Sequence, residues 1–132
     1  MTRSLLPSDS LFRYESVVTH NSKLYASVQF TVRRMSFARR CDLAHKVREL
    51  SQKMEFLKAG DSVQDKLEAA VLNSEISNLY VRWGLVSIDG MELDGQCATP
   101  ERMIADGPED LCNEIVAAIQ AECGLSNEER KN

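Results

Sequence analysis

The sequence predicts an α+β chain: an N-terminal β-hairpin packed on a helical hairpin, a short β-turn segment, and a C-terminal helix. Three observations carry this. Leu24 to Val32 alternates apolar and polar residues with the period of two that marks a half-buried strand. From Ser36 the period changes, and Leu43, Val47, Leu50, Met54 and Leu57 recur at the 4-3-4-3 spacing of one helix face. Beyond Gly84 the helical period is lost, and two Asp-Gly pairs, 89–90 and 94–95, signal turns.

Each element follows in order. Residues 1–11 read as a loose arm. Arg13 to Thr19 forms a first strand, His20-Asn21-Ser22-Lys23 a turn, and Leu24 to Val32 the returning strand of the hairpin. Ser36 caps a helix over 36–59, with Phe37 as the first residue of its buried stripe, and Gly60 stops it. Ser62-Val63-Gln64-Asp65 approximates a capping box for a second helix over 62–83. Its stripe is Leu72, Ile76, Leu79 and Trp83, with Leu67 and Ala69 before it, and Gly84 ends it. The short Ala59-Gly60-Asp61 link makes the two helices an antiparallel pair. Leu85 to Ile88 is a strand that turns at Asp89-Gly90 and returns through Met91 to Leu93. Thr99 as cap and Pro100 at the first helical position open a short helix. Gly107-Pro108 separates it from a last helix, 108–123, which buries Leu111, Ile115 and Ile119, joined by Val116 and Cys123, and ends at Gly124. Residues 126–132 are expected to be a solvated tail or one extra turn.

The chain of 132 residues fits one domain over 1–132. Pro7 and Asp9 break any N-terminal apolar run, and no run approaches 18 apolar residues, so neither a signal-peptide core nor a membrane span is expected. A cytoplasmic setting is expected. Cys41, Cys97, Cys112 and Cys123 form no C-x-x-C pair, and are expected to be reduced thiols without a metal.

Catalytic patterns find little support. The two histidines, His20 and His45, lie in a turn and beside a helix stripe, and no Gly-x-Ser-x-Gly elbow is present. A Cys41–His45 pair shares one helix face, but nothing supplies an oxyanion site. Leu57 to Ser62 lacks the Gly-Lys core of a phosphate loop. Met91 and Leu93 occupy positions that a calcium loop over 89–95 would need for oxygen ligands. No enzyme activity and no cofactor are expected.

Charge is the remaining signal. The whole chain carries a formal −4, which disfavours non-specific nucleic-acid binding. Yet segment 33–58 holds eight Lys/Arg against three acids, and segment 59–132 holds five against fifteen. Arg33, Arg34, Arg39 and Arg40 concentrate at a helix start, where the dipole disfavours cations. A locally unfavourable choice points to a role. The readings are an acidic protein partner, a phosphate, or an acidic patch of this chain or of a second copy. A surface role predicts that charge reversal at Arg39 and Arg40 leaves stability within about 1 kcal/mol. Trp83 has two readings: it closes the core at the end of its helix, or it caps a groove for a partner helix.

The second half also carries a resemblance. Tyr80-Val81-Arg82-Trp83-Gly84 ends a helix, and the Leu85–Gly95 hairpin follows. Ala98-Thr99-Pro100-Glu101, Gly107-Pro108-Glu109-Asp110-Leu111, a helix and the ending Leu125 to Asn132 complete the order. Over residues 72–132 this resembles small phage and prophage tail proteins of the tail-assembly-chaperone type. The resemblance implies a non-enzymatic protein that binds the coiled-coil tape-measure protein or other tail components during assembly; a homo-oligomer is a further partner reading. Arg33, Arg34, Arg39, Arg40 and Trp83 are then the partner-binding candidates. The alternative is a nucleic-acid-associated accessory protein using the Arg33–Arg48 basic face.

Overall fold

The computed structural model describes residues 11–124. Nine elements follow in order: β1 (Val17–Asn21), β2 (Gln29–Arg33), α1 (Phe37–Lys58), α2 (Val63–Gly84), β3 (Leu85–Asp89), β4 (Glu92–Leu93), β5 (Gln96–Cys97), α3 (Pro100–Asp106) and α4 (Glu109–Glu122). The fold class is α+β, as the patterning requires. The expected arm and tail lie outside the described residues, except for Leu11, which is exposed.

The helices obey their local signals. Ser36, Ser62 and Thr99 each accept a hydrogen bond from the backbone N–H three residues on, satisfying a donor that the helix start leaves unpaired. Pro100 occupies the first turn of α3. In α4, Leu111, Ile115 and Ile119 are fully buried, and Cys123 joins them. Gly124 adopts φ 70°, the left-handed C-terminal conformation that glycine favours.

The strands depart from expectation in two places. The alternating run expected over 24–32 forms a strand only from Gln29, and the first strand runs to Asn21 and so absorbs half of the expected turn. Between them, the Ser22 hydroxyl oxygen accepts from the N–H groups of Leu24 and Tyr25, and Val28 N–H donates to the Tyr25 carbonyl. A serine that satisfies successive backbone donors offers the chain an alternative to the ladder. Leu24 is therefore exposed, while Val28, Phe30 and Val32 keep the inward side.

The second departure is β3. It pairs antiparallel with β2, giving a three-stranded sheet in the order β1-β2-β3, and does not return through Met91 to Leu93. Met91 to Cys97 instead makes its own two-stranded ribbon, β4 with β5, around Asp94 and Gly95, both at positive φ. That is the paired left-handed geometry of a tight hairpin turn. At the other Asp-Gly pair, Gly90 lies at φ +79° against the Ser27 carbonyl, and the Ser27 hydroxyl donates to the Gly90 carbonyl at 3.0 Å. This turn thus carries the chain out of the sheet.

The main core gathers Phe30 and Val32 of the sheet, Leu43 of α1, Tyr80 and Val81 of α2, Met103 of α3 and the inner face of α4. Gly84 ends α2 without a left-handed turn. A Cβ there would lie 2.6 Å from Ile119 Cγ2, so glycine permits the close approach of α2 to α4. A second, smaller cluster of Met54, Ala69 and Leu72 sits in the outer half of the α1/α2 hairpin. Two residues expected inside are outside: Phe37 is 74% exposed and Leu67 63%. Leu67 falls off the row that Ala69, Leu72 and Ile76 turn toward α1, and Phe37 lies on a different face of α1 from the buried Leu43.

Candidate functional site: the arginine staple and the open hairpin face

The four candidate arginines separate. Arg39 reaches from the first turn of α1 to the end of α2. Its guanidinium lies 4.5 Å above the Trp83 ring, and Nη2 donates to the Trp83 carbonyl at 3.1 Å. Arg40 reaches to the end of α4, where Nη1 donates to the Cys123 carbonyl at 3.1 Å. Arg34 donates through Nε to Glu122 Oε1 at 3.1 Å and through Nη1 to the Glu15 carbonyl at 3.2 Å. His20, stacked on Phe30, places Nε2 3.5 Å from the other oxygen of Glu122. Arg33 is exposed and stands with Arg82 at a separate cleft beside Leu85, Pro100 and Glu101.

This resolves the unfavourable charge placement. The cations sit at the start of their own helix but act on the C-terminal carbonyls of two others, where the macrodipole favours positive charge. α4 carries no basic residue in its last turn, and Arg40 supplies one from α1. Trp83 is partly buried, packs on the main core and is covered on one face by Arg39. The structure thus joins Arg39 with Trp83 and leaves Arg33 apart from both.

A second constraint ties the β1–β2 loop to α4. Glu114 accepts from the Ser22 hydroxyl and from Lys23 N–H, both at 2.7 Å. Tyr25 donates its hydroxyl to both Asp110 oxygens at 2.9 Å, and that carboxylate holds the phenol above its ordinary pKa. These carboxylates are anchors for the β1–β2 loop.

The cysteines are free thiols: Cys123 buried, Cys41 and Cys112 half-buried, Cys97 exposed. Burial pushes the Cys112 and Cys123 thiols up, with Asp110 and Glu109 adding to the effect at Cys112. His45 is exposed. Among the described residues no group of three or more His, Cys, Asp or Glu is placed to hold a metal ion, and no helix is long and apolar enough to cross a membrane.

The feature that sequence reading missed is the outer face of the α1/α2 hairpin. Val63, Leu67 and Val71 recur every four residues along α2 and are 74%, 63% and 58% exposed. Phe56 of α1, 80% exposed, shares a groove with Val71. Lys53, Phe56 and Leu57 on one side and Glu68, Val71 and Leu72 on the other line a groove of about 500 Å³. The signal was present as a second apolar row on α2, one helix face away from the Leu72 row. It was masked because Leu67 reads equally well as part of either row.

No family model, curated protein or solved structure matches this chain.

Proposed function

We propose that the chain is a non-enzymatic assembly protein that receives an amphipathic helical segment of a protein partner on the outer face of its α1/α2 hairpin. The observation that carries this is the exposed row of Val63, Leu67 and Val71 on α2, whose Val71 shares a groove with the exposed Phe56 of α1. Exposed apolar rows of this kind, flanked by charge, mark association surfaces, and helix-in-groove recognition uses apolar anchors at such spacing. Lys53 and Glu68 on the two walls provide charges of both signs to orient the incoming helix. The resemblance of residues 72–132 to tail-assembly-chaperone-type proteins supports a setting in which that helix belongs to a tape-measure or other tail component.

The arginines enter this reading indirectly. Arg39 and Arg40 tie the start of α1 to the ends of α2 and α4, at the base of the hairpin.

The test is a titration of a tape-measure coiled-coil segment, followed by calorimetry, against the wild type and Val71→Glu. Binding that the substitution weakens at least tenfold supports the reading. Equal binding by both, or none by either, refutes it.

A further inference from the structure

β2, α2, β3 and α3 converge on a cleft of about 520 Å³. Arg33 closes β2, Arg82 stands in the last turn of α2, and both line the cleft. Both are exposed, and among the described residues neither makes an ion pair or a side-chain hydrogen bond. Arg34, Arg39, Arg40 and Arg102 each engage a carboxylate or a carbonyl of the chain itself. The fold thus gives those four a partner and leaves Arg33 and Arg82 on one cavity.

The sheet brings the two together. Val32 pairs opposite Leu85, so Arg33 lies beside the end of α2, which Leu85 follows directly. Two like charges on one cleft focus its field and draw in a counter-ion. Glu101 is the one carboxylate among the lining residues, and it has no ion pair. The balance is two cations against one anion, which suits a ligand with a single negative charge. A phosphate ester carries about −1.5 to −2 near neutrality and meets repulsion from Glu101. A carboxylate carries one charge and matches the planar guanidinium fork. Apart from Thr99, whose hydroxyl caps α3, the other walls are apolar: Leu85 and Val86 of β3, Pro100 and Ile104 of α3. Small-molecule clefts span roughly 300–1,000 Å³ and combine such walls with a few convergent polar groups.

We propose that this cleft binds a small organic acid, a carboxylate monoanion on an apolar body. Arg33 and Arg82 hold the carboxylate, and the β3 and α3 side chains cover the body. The site is separate from the proposed association face, since neither arginine lines the hairpin groove.

The experiment titrates 4-phenylbutanoate into the isotope-labelled full chain and follows amide chemical shifts. Saturable shifts centred on Arg33, Arg82, Val86 and Ile104 are expected, with a dissociation constant below about 1 mM. 4-Phenylbutanamide keeps the body without the charge, and acetate keeps the charge without the body; each is expected to bind at least tenfold more weakly. Arg33→Ala and Arg82→Ala, with helicity verified by circular dichroism, are each expected to raise the dissociation constant about tenfold. Glu101→Gln is expected to tighten binding, a gain that damage to the fold does not produce. The proposal is overturned by an absence of shifts up to about 10 mM, or by shifts centred on Phe56 and Val71. Equal binding of the amide, tighter binding of phenyl phosphate, indifference to both arginine variants, or weaker binding by Glu101→Gln each overturns it as well.

Discussion

Arg39 grips Trp83 twice, with its guanidinium 4.5 Å above the indole and Nη2 donating at 3.1 Å to the carbonyl of the same residue. One side chain thereby covers the ring that closes α2 and satisfies a carbonyl at that helix's end. Arg40 repeats the second contact on α4. Both side chains are partly buried, and the Nε of each is shielded without a hydrogen-bond partner. Both residues thus make contacts within the chain that the expectation of stability unmoved by charge reversal did not include.

Truncation should therefore be costly. Arg39→Ala and Arg40→Ala are each expected to lower unfolding free energy by about 1–2 kcal/mol, from a charge-assisted hydrogen bond and, for Arg39, a cation–π contact. Urea denaturation measures this. Arg33→Ala, at an exposed position, is the control and should stay within about 0.5 kcal/mol.

Gly84 and Ile119 form a second test. A methyl group at 84 would meet three Ile119 side-chain carbons at 2.6–2.8 Å. Gly84→Ala is expected to cost about 1–3 kcal/mol by overpacking, despite the better helix propensity of alanine. Ile119→Ala removes the obstructing atoms, so the double variant should lose less than the sum of the single losses. Strict additivity in denaturation would show that α2 shifts away from α4 instead.

Glu114 holds the β1–β2 loop by two hydrogen bonds to Ser22 and Lys23. Glu114→Ala should leave α1 and α2 intact and accelerate amide exchange over residues 22–28 at least tenfold, because the loop loses its attachment to α4. Uniform acceleration across the sheet would show that Glu114 supports the global fold.

The thiols yield a pH prediction. Burial raises the Cys123 and Cys112 pKa values in the folded chain, so the folded state keeps protons there that the unfolded state releases. Stability contributed by these groups is complete below the unfolded thiol range and falls as pH rises beyond about 8.5. Denaturant midpoints measured from pH 7.5 to 10 should decline, and less steeply in Cys123→Ala. Alkylation of the native protein should proceed first at Cys97, which is exposed, and last at Cys123, which is 1% exposed.

The sequence by itself determined the elements that rest on neighbouring residues. The α1 stripe Leu43–Val47–Leu50–Met54–Leu57 and the caps at Ser36, Ser62 and Thr99 place three helices within a residue or two of their observed ends. Helical periodicity and capping act within a few residues, so local reading recovers them. The α4 face of Leu111, Ile115 and Ile119 was legible for the same reason. Only the tertiary structure decided which strand joins the sheet. Both Asp-Gly pairs propose a hairpin, and the choice falls to whether Leu85 and Ile88 bury more against β2 than against Met91 and Leu93. The arginines show the same limit more sharply. A cluster at the start of α1 reads as free charge until the ends of α2 and α4 arrive beside it, 44 and 83 residues away in sequence. A side chain's partner is set by the packing of whole helices, and that packing depends on apolar area buried between elements far apart in sequence, a quantity that no local window contains.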